Sequence, residues 1–389
     1  MFDFIVVGCG YAGAVSARLI SENLNKKVLI IEKRSHIAGN MYDEYNEIGI
    51  LVHKYGPHIS AMNNKKVYDF LSRFTEWIPY EHKVLAQIDD KKVPLPINLN
   101  SIKILFPEEY GVMSRVIISE YGFGNNVPIL SMMKSNINEI RDLADFLYRK
   151  VYLEYTMKMW NLNPKQIDPS VTGRIPFRVS YDDRHFLHRY QVMPKYGFTN
   201  LFKNMLNHPN ISVKLDTEAN EEISVDFNNQ VIIYNNKKFD GKLIYTGSLD
   251  ELCNYKYGPL PYRSLNFKFD NYFEDYIQPC AVLNWPDSKP ATRRTEIKRL
   301  TGQILPNKTT TITEYPGEYN KDDPNFNEPY YPILKKEHLD IYNKYVDELR
   351  RIKNFYFTGR LASYRYYNME DAVINAMEFF NDNFMEKKL

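Results

Sequence analysis

The N-terminal segment constrains the fold of this chain more than any other part of the sequence. An apolar stretch at 2–7 runs into Gly8-x-Gly10-x-x-Gly13, and helix-compatible residues follow. In this setting the first glycine permits a tight turn, the second lets a pyrophosphate approach the backbone, and the third allows close helix–strand packing. The helix N-terminus would face the phosphate charge. The pattern predicts a dinucleotide-binding βαβ unit with cofactor contacts at Gly8, Gly10, Tyr11, Ala12 and Gly13.

The next predicted strand carries the features that favour FAD over NAD. The strand at 28–31 ends on Glu32, which is placed to accept hydrogen bonds from a ribose hydroxyl. The stretch that follows, with Lys33, Gly39 and Asn40, resembles the ribose-binding strand end and second glycine turn of FAD-dependent oxidoreductases. NAD enzymes usually lack that extension, so we expect FAD in this site.

A segment near the C-terminus supports the same cofactor. An apolar stretch that begins at Phe355 ends in Gly359-Arg360, and a helix is predicted from about 370 to 385. Such a strand can return to the first sheet and present backbone N–H groups and a guanidinium to the FAD pyrophosphate. Asn368 and Met369, just before the helix, are also assigned to the cofactor.

Composition and charge restrict the remaining possibilities. The chain has 389 residues, which favours two or three domains, and a net charge of +2, which gives no strong field for nucleic acid or an anionic membrane. No apolar run approaches the ~20 residues that span a bilayer, and the N-terminus leaves no room for a signal peptide. The three cysteines have no metal-ligand spacing, and a disulfide framework is not expected. We expect a soluble cytoplasmic protein with no metal and no nucleic-acid partner.

The middle of the chain predicts a mixed architecture. The predicted elements are short strands at 83–88 and 93–97, helices within 100–162, a Pro- and Gly-rich loop at 163–180, a hairpin at 224–240, a strand at 242–247 and further strands over 262–315. Helical periodicity is clearest at 137–148, and the hairpin turn is expected at Asn235-Asn236. The strand at 242–247 is expected to rejoin the first sheet.

Motifs along the whole chain resemble those of the prokaryotic UDP-galactopyranose mutases. Each motif is weak alone, but a dozen of them occur in the order found in that family. The motifs are 6–13, 37–40, 55–58, 155–160, 173–176, 194–198, 262–265, Thr292-Arg293 with Glu296 and Lys298, 314–316, 328–332, and 359–361 with 364–366.

The resemblance implies an α/β fold in three parts and a homodimer. The parts are a discontinuous Rossmann-like FAD-binding domain (1–80, 195–250 and 340–389), a helical domain (100–165) and a twisted antiparallel β-sheet domain with much of the substrate site (81–99, 174–194 and 255–335). A mobile loop at 165–178 is implied in addition.

The resemblance also implies a ring contraction without net redox change, UDP-galactopyranose to UDP-galactofuranose. Reduced FAD would attack the anomeric carbon through N5, the nucleoside diphosphate would leave, and the ring would open and reclose through O4 on the flavin N5–sugar adduct. The diphosphate would then return to the anomeric carbon and release the flavin. NAD(P)H or a separate reductase would supply the electrons. The furanose product would serve bacterial polysaccharide biosynthesis.

A departing diphosphate calls for guanidinium groups, which stay charged and bind phosphate oxygens in a fork. The resemblance assigns this role to Arg174, in the mobile loop, and to Arg293, on a candidate strand. The alternatives are a solvated loop charge for Arg174 and a structural salt bridge to Glu296 for Arg293. His58 is placed near the flavin, with an ordinary turn histidine as the alternative.

The remaining substrate-binding positions follow from the same resemblance. They are Ala61, Tyr155, Thr156, Met159, Trp160, His185, Asn284, Tyr330, Tyr331 and Tyr366. Tyr155 and Trp160 would contact the pyrimidine and the ribose-phosphate end, although such a helical pair also fits a packed core. Tyr330 and Tyr331 are both candidates for a phosphate hydrogen bond, and the sequence does not choose between them.

Four positions depart from the family pattern and bear on the substrate. Ala61 replaces a polar histidine, Met159 a glutamine, His185 a tyrosine and Asn368 an aspartate. An unpaired buried hydroxyl costs about 1–3 kcal/mol, so a pocket with fewer polar partners favours a less polar ligand. dTDP-fucopyranose, with a 6-deoxy sugar and a thymine base, is therefore an alternative substrate, and neutral drift is the other explanation.

Two readings from other classes stay open on the sequence alone. An FAD-dependent oxidase or dehydrogenase would share the nucleotide fingerprint but would need no diphosphate clamp of arginines and tyrosines. A flavin-stabilised binding protein would not need Arg174, Arg293 and the Tyr366 region.

Overall fold

The computed structural model describes residues 2–160 and 176–385. The strands are β1 (Phe4–Val7), β2 (Val28–Ile31), β3 (Asp43–Tyr45), β4 (Leu51–His53), β5 (Ser60–Met62), β6 (Trp77–Pro79), β7 (Val84–Ile88), β8 (Lys91–Leu95), β9 (Asn126–Val127), β10 (Phe177–Arg178), β11 (Tyr190–Pro194), β12 (Ile211–Lys214), β13 (Ile223–Asp226), β14 (Val231–Tyr234), β15 (Lys237–Lys238), β16 (Lys242–Tyr245), β17 (Tyr262–Tyr272), β18 (Val282–Asn284), β19 (Arg293–Glu296), β20 (Thr309–Glu318), β21 (Tyr331–Pro332) and β22 (Phe355–Phe357).

The helices are α1 (Tyr11–Leu24), α2 (Lys65–Leu71), α3 (Leu99–Leu105), α4 (Tyr110–Tyr121), α5 (Ile129–Met132), α6 (Asn138–Leu147), α7 (Glu154–Trp160), α8 (Phe198–Leu206), α9 (Ala219–Glu222), α10 (Leu249–Leu252), α11 (Ile297–Thr301), α12 (Lys336–Leu349) and α13 (Met369–Phe384), with a 3₁₀ turn at Gly39–Met41 and a π-helix at Tyr148–Leu153.

The nucleotide-binding half is built on a parallel sheet. Among the described strands its order is β12-β2-β1-β16-β22, so strands from three distant parts of the chain lie side by side. Every residue of β1 and β2 is buried, as expected for a parallel sheet that is covered on both faces. The predictions that the strand at 242–247 and the strand at Phe355 return to this sheet are confirmed. Helices α1 and α13 pack together on one of its faces.

A second sheet lies opposite the parallel sheet. Its order in the described chain is β21-β17-β20-β19-β18-β7-β8, and β17 pairs with β20 along ten residues. All neighbours are antiparallel except β18 and β7, which run parallel. This sheet and the helices at its end confirm the predicted α/β fold with a mostly antiparallel second layer.

The helical segment packs as a unit beside the end of this sheet. Helices α3 to α6 share a core with β7 and β8 that contains Ile102, Ile117 and Leu143. Helix α6 matches the periodicity predicted at 137–148, and the π-helix then connects it directly to α7. The connection carries the chain from the helical core to the wall of the second sheet.

The described part of the segment at 174–194 contacts three parts of the fold, and its assignment to the antiparallel-sheet domain stays a prediction. Arg184 forms an isolated antiparallel bridge with Lys83, just before β7, and β10 pairs with β9 of the helical segment. Strand β11 pairs with β5 and β6, because Val192 and Met193 lie in the core of the nucleotide-binding half.

The hairpin predicted at 224–240 has an additional turn. Asn235 and Asn236 form the expected turn, with φ of 49° and 60°, between β14 and β15. A further turn at 227–230 separates β13 from β14.

Across 2–160 and 176–385, no helix combines the length and apolar character needed to cross a membrane. Over the same residues, no group of three or more His, Cys, Asp or Glu side chains is arranged to hold a metal ion.

Candidate functional site

One cavity of about 620 Å³ connects the carboxyl edge of the parallel sheet with the face of the second sheet. Gly8 and Glu32 line it from the first sheet, and Asn284 and Arg293 line it from the second. The volume is within the range of about 300–1,000 Å³ that small-molecule and cofactor sites occupy. In open α/β sheets, ligands bind in the crevice at this edge.

The turn between β1 and α1 has the shape that a dinucleotide backbone needs. Gly8 has a φ of +96°, and a Cβ on Gly13 would lie 1.9 Å from the Gly8 carbonyl oxygen, so α1 packs directly on the turn. A Cβ on Gly10 would meet no atom within 4 Å among the described residues, although Gly10 lines the cavity. Gly10 also begins α1 without a side-chain cap, which leaves helix N–H groups for an anion.

Glu32 is fixed at the end of β2 by its own backbone neighbours. One carboxylate oxygen accepts the Cys9 N–H at 2.8 Å, and the other accepts the Arg34 N–H at 3.0 Å. Because each carboxylate oxygen can accept a further hydrogen bond, Glu32 is held in place and can still bind hydroxyl groups.

The C-terminal segment adds a second glycine turn and a second helix N-terminus. Gly359 has a φ of +92°, and a Cβ there would lie 2.8 Å from the Ala12 Cβ. Asn368 accepts the Asp371 N–H at 2.8 Å and closes a capping box at the start of α13. Arg360 lines the cavity between these two features. The glycine cradle, the helix ends, the guanidinium and Glu32 together fit a dinucleotide with its two phosphates.

Arg293 lies in a row of side chains that crosses neighbouring strands of the second sheet. Strand pairing sets Asn284 opposite Arg293, and Arg293 opposite Glu314. Arg293 donates from Nε at 2.9 Å and from Nη2 at 2.8 Å to one oxygen of the buried Glu314 carboxylate. Burial lowers the pKa of Arg293, but Glu314, Tyr155 and Tyr331 raise it by more, so the side chain stays charged.

The ionic partner of Arg293 is therefore Glu314, and the alternative of a salt bridge to Glu296 is not realised. Three residues along a strand place two side chains on opposite faces of the sheet. Glu296 lies fully buried on the other face, where it accepts the N–H of Ile277 at 2.8 Å and the Thr309 hydroxyl at 3.0 Å.

Helix α7 is attached to the second sheet through its C-terminal end. Arg263 of β17 donates from Nε to the Met159 carbonyl at 2.8 Å. The Lys158 ammonium donates to the carbonyl oxygens of Trp285 at 2.6 Å and Ala291 at 3.1 Å. These bonds fix the helix so that Tyr155 lines the cavity.

The histidines that line the cavity around Arg293 are His58, His82, His185 and His188. The surroundings of the first three keep their rings neutral. Burial, then His53 and Arg360, lower the pKa of His58 well below its ordinary value. Burial, then His185 and Arg293, do the same for the pKa of His82. Burial lowers the pKa of His185 to about 4, although its ring nitrogen is 3.1 Å from the Leu95 carbonyl.

Buried polar atoms in this part of the cavity are left for a ligand. The Nδ1 atoms of His58 and His188 and the Oδ1 atom of Asn284 have no hydrogen-bond partner within the described chain. Unpaired buried polar atoms are costly, so these positions are suited to the hydroxyl groups of a polar ligand.

Two tyrosines stand beside the guanidinium groups. The Tyr331 and Tyr366 rings stack with centres 5.7 Å apart, and the Arg360 guanidinium lies 5.7 Å from the Tyr331 ring centre. Tyr330 does not line the cavity, because its ring is buried against Phe267 with centres 5.9 Å apart. Of the two neighbours, Tyr331 is thus the one that reaches the site.

The structure brings most of the predicted residues to one cavity. The ones that line it are Gly8, Gly10, Tyr11, Ala12, Glu32, Lys33, Gly39, Asn40, His58, Ala61, Tyr155, His185, Asn284, Arg293, Tyr331, Gly359, Arg360, Tyr366, Asn368 and Met369. Gly13 packs behind the turn, and the Thr156 hydroxyl donates to the Tyr152 carbonyl at 2.6 Å, inside the helical segment. Met159 is not in the cavity wall, and Arg174 and the Trp160 side chain are outside the described residues.

Some residues that shape the site were not singled out from the sequence. His82 and His188 line the cavity, and Arg34, Arg263 and Lys158 hold its walls together. The two histidines belong to none of the motifs given above. The three cations contact Glu328, Met159 and Trp285, which are more than 100 residues away in the sequence, and no local pattern shows such contacts.

Replacing Gly10 or Gly13 by alanine separates cofactor binding from folding. Gly10→Ala should leave the free energy of unfolding of the cofactor-free protein within about 0.5 kcal/mol of wild type, because no described atom opposes the new Cβ. The amount of dinucleotide bound by Gly10→Ala should fall. Gly13→Ala should lower both the bound dinucleotide and the free energy of unfolding, the latter by about 1–3 kcal/mol. Urea unfolding and the ratio of cofactor to protein absorbance measure the two effects, and full cofactor content in Gly10→Ala would contradict the assignment.

Acid should destabilise the protein through its buried histidines. The pKa of His185 is about 4 when folded and 6.5 when unfolded, so the unfolded chain binds the proton first as pH falls. Stability is unaffected above pH 6.5 and is lost between 6.5 and 4, by roughly 3 kcal/mol. His185→Gln should remove that part of the decline in urea unfolding measured across this range. An unchanged slope in His185→Gln would remove His185 from the acid response.

Comparison with known proteins assigns the chain. The family model described as UDP-galactopyranose mutase matches residues 150–366, and one described as NAD(P)-binding Rossmann-like domain matches 6–74. The UDP-galactopyranose mutase of Mycoplasma pneumoniae is 34% identical over 381 residues, 97% of this chain and 94% of the relative. The dTDP-fucopyranose mutase of Escherichia coli is 34% identical over 386 residues, 97% of each.

Solved structures agree on the fold. A reduced UDP-galactopyranose mutase superposes with a TM-score of 0.71 at 15% identity, over 100% of this chain and 97% of the other. A putrescine oxidase variant gives 0.59 at 11% identity, over 98% of each chain. These likenesses show a shared fold. Taken with the family model and the relatives, they support one conclusion: the chain belongs to the UDP-galactopyranose mutase family.

Proposed function

We propose that this protein is a flavin-dependent nucleotide-sugar mutase that interconverts pyranose and furanose forms, with UDP-galactopyranose as its first candidate substrate. One observation carries the proposal in a chain of this family. A single cavity connects a dinucleotide turn with a charged arginine, two tyrosines and buried polar atoms that lack partners. That combination suits a flavin at one end and a sugar diphosphate at the other.

FAD in its reduced state is the cofactor that fits the proposal. Glu32 and Lys33 would hold its ribose, and the helix N-termini with Arg360 would hold its diphosphate. When bound and reduced, the flavin supplies the nucleophilic nitrogen for attack at the anomeric carbon. NAD(P)H or a separate reductase would provide the electrons.

Arg293 would stabilise the nucleoside diphosphate as it leaves the sugar. Glu314 holds two of its guanidinium nitrogens, which fixes the direction of the remaining donors before the ligand arrives. A fixed cation at a developing negative charge is the largest effect that a site of this kind offers. Tyr331 and Tyr366 would donate hydroxyl hydrogen bonds to the phosphate oxygens, and Arg174 remains a predicted second cation.

His58 would be the neutral group nearest the reacting atoms. Its backbone N–H donates to His53 Nδ1 at 3.0 Å, which fixes the turn. Because burial keeps the ring neutral, its unpartnered Nδ1 can donate or accept a hydrogen bond, depending on the tautomer. Tyr155 would contact the nucleotide end, and Thr156, Met159 and Trp160 remain predictions there.

A dTDP-6-deoxy sugar is the second candidate, and Ala61 is the observation that favours it. Ala61 lines the cavity with a methyl group at a position where the family pattern has a polar histidine. A dTDP-fucopyranose mutase is among the relatives. We also propose a homodimer, as the resemblance implies, and a cytoplasmic location, as expected from the composition.

A direct assay tests the proposal. Purified protein is reduced with dithionite and given UDP-galactopyranose or dTDP-fucopyranose, and furanose formation is followed by anion-exchange chromatography against an unreduced sample. Conversion that requires reduced flavin supports the mutase. Steady oxidation of a substrate in air without furanose formation would instead indicate an oxidase.

Arg293→Lys should keep its charge but lose the fork, so kcat should fall by about 10²- to 10³-fold while bound flavin stays constant. Arg294→Lys is the matched control. Arg294 is next to Arg293 in the sequence, but it donates from Nε to the Gln278 side chain at 3.0 Å and does not line the cavity. Equal losses in both variants would remove Arg293 from the reaction.

Ala61→His should shift the substrate preference. Restoring a polar partner for the sugar should raise the ratio of kcat/KM for UDP-galactopyranose to kcat/KM for dTDP-fucopyranose by about 10-fold. Both rates are measured on the same reduced preparation. An unchanged ratio would mean that this position does not select the sugar.

A further inference from the structure

Arg34 is placed where three cavity-lining segments meet. It follows Glu32 in the cofactor segment, and its Nη2 donates to the Asn40 side chain at 2.9 Å and to Glu328 Oε2 at 2.6 Å. Its guanidinium also lies 4.0 Å from the ring centre of Tyr55. Each of these partners belongs to, or directly borders, a different part of the cavity wall.

The Glu328 side of this contact belongs to the proposed diphosphate site. Glu328 lines the cavity three residues before Tyr331, and β21 is a strand of two residues at the edge of the second sheet. The Ser264 hydroxyl donates to the Glu328 carbonyl at 2.7 Å, which fixes the backbone, while Arg34 fixes the carboxylate. An edge strand this short depends on such contacts for its position.

The Tyr55 side of the contact belongs to the turn that carries His58. The Tyr55 hydroxyl lies 2.8 Å from His36 Nε2, and His36 Nδ1 lies 2.9 Å from the Ile37 carbonyl. A carbonyl only accepts, so Nδ1 donates there and a neutral His36 accepts the tyrosine hydroxyl. The turn is therefore tied to the same cofactor segment as Arg34.

The ion pair is sheltered enough for its geometry to matter. The exposed fractions of the Arg34 and Glu328 side chains are 13% and 23%. Exposed pairs contribute little, whereas removing one partner from a sheltered, hydrogen-bonded pair leaves the other without compensation. The pair also joins two sheets that have no strand in common in the described chain.

We infer that Arg34 and Glu328 are positioning residues that couple occupation of the dinucleotide site to the affinity of the diphosphate site. Cofactor contacts with Glu32 and Asn40 would restrain the segment that carries Arg34, and the Arg34–Glu328 pair connects that segment to the strand of Tyr331. By linkage, a nucleotide diphosphate must then tighten the cofactor by the same factor. The inference rests on the proposed function, because it needs a ligand at both ends.

The test measures this factor on the holoenzyme. FAD release on dilution is followed by its fluorescence, with and without saturating UDP, and again with dTDP. In the wild type, one of the nucleotides should tighten FAD by a factor in the range of about 5- to 150-fold that is typical of coupled sites. In Glu328→Gln the factor should approach one, and KM for the nucleotide sugar should rise.

Variants separate coupling from a general loss of structure. Glu328→Asp keeps a carboxylate and should restore part of the factor, and Arg34→Lys tests the pair from the other end if Glu328→Gln does not fold. Asp69→Asn is the control, because it removes an exposed ion pair with Lys65 away from the cavity. That variant should keep the wild-type factor.

The outcomes distinguish this inference from the proposed function. A wild type that binds neither nucleotide and forms no furanose overturns both. A wild type that shows coupling, with the same factor in Glu328→Gln and Arg34→Lys, overturns only the inference. A purely structural role would lower the melting temperature and leave the factor unchanged.

Discussion

The pairing of β1 with both β2 and β16 is the constraint on which the rest of the structure depends. It sets the glycine turn at the centre of the parallel sheet and aligns the ends of strands that are more than 200 residues apart in sequence. The chain leaves this sheet to build the helical segment and the second sheet, and it must return to it with β22. Each excursion leaves the sheet at its carboxyl edge and re-enters a parallel strand at the opposite, amino edge. The second sheet lies over the carboxyl edge, and the cavity forms between the two.

Charge in the cavity is held by the architecture of the second sheet. A guanidinium that sits 30% exposed beside a carboxylate that is 2% exposed would be costly without a fixed geometry. Cross-strand pairing supplies that geometry, because Arg293 and Glu314 face each other on adjacent strands. The surrounding histidines stay neutral for the same reason that Arg293 stays charged. The low-dielectric wall penalises any charge that has no partner, and Arg293 has one.

Local patterns in the sequence predicted the parts of the fold that are locally determined. The glycine turn, Glu32 and the return of the strand at Phe355 follow from spacing and apolar character, and the structure has them. The partner of Arg293 was not predictable in this way, because the register of β19 with β20 joins residues 21 positions apart. Adjacent side chains on a strand point to opposite faces, so the position at which β21 begins decides whether Tyr330 or Tyr331 faces the cavity. A strand as short as β21 has no periodic pattern from which its start could be predicted. The pairing of β11 with β5 and β6 depends on which core buries Val192, and that is a tertiary preference.

The separation of β22 and α13 from β1 and α1 along the chain has a consequence for folding. Gly359, Arg360 and the capped start of α13 form one wall of the cofactor cavity, and α13 closes the core against α1. During synthesis the glycine turn therefore emerges well before the wall that faces it. A nascent chain that stalls before residue 355 has a partly formed sheet with an open edge for chaperones to protect.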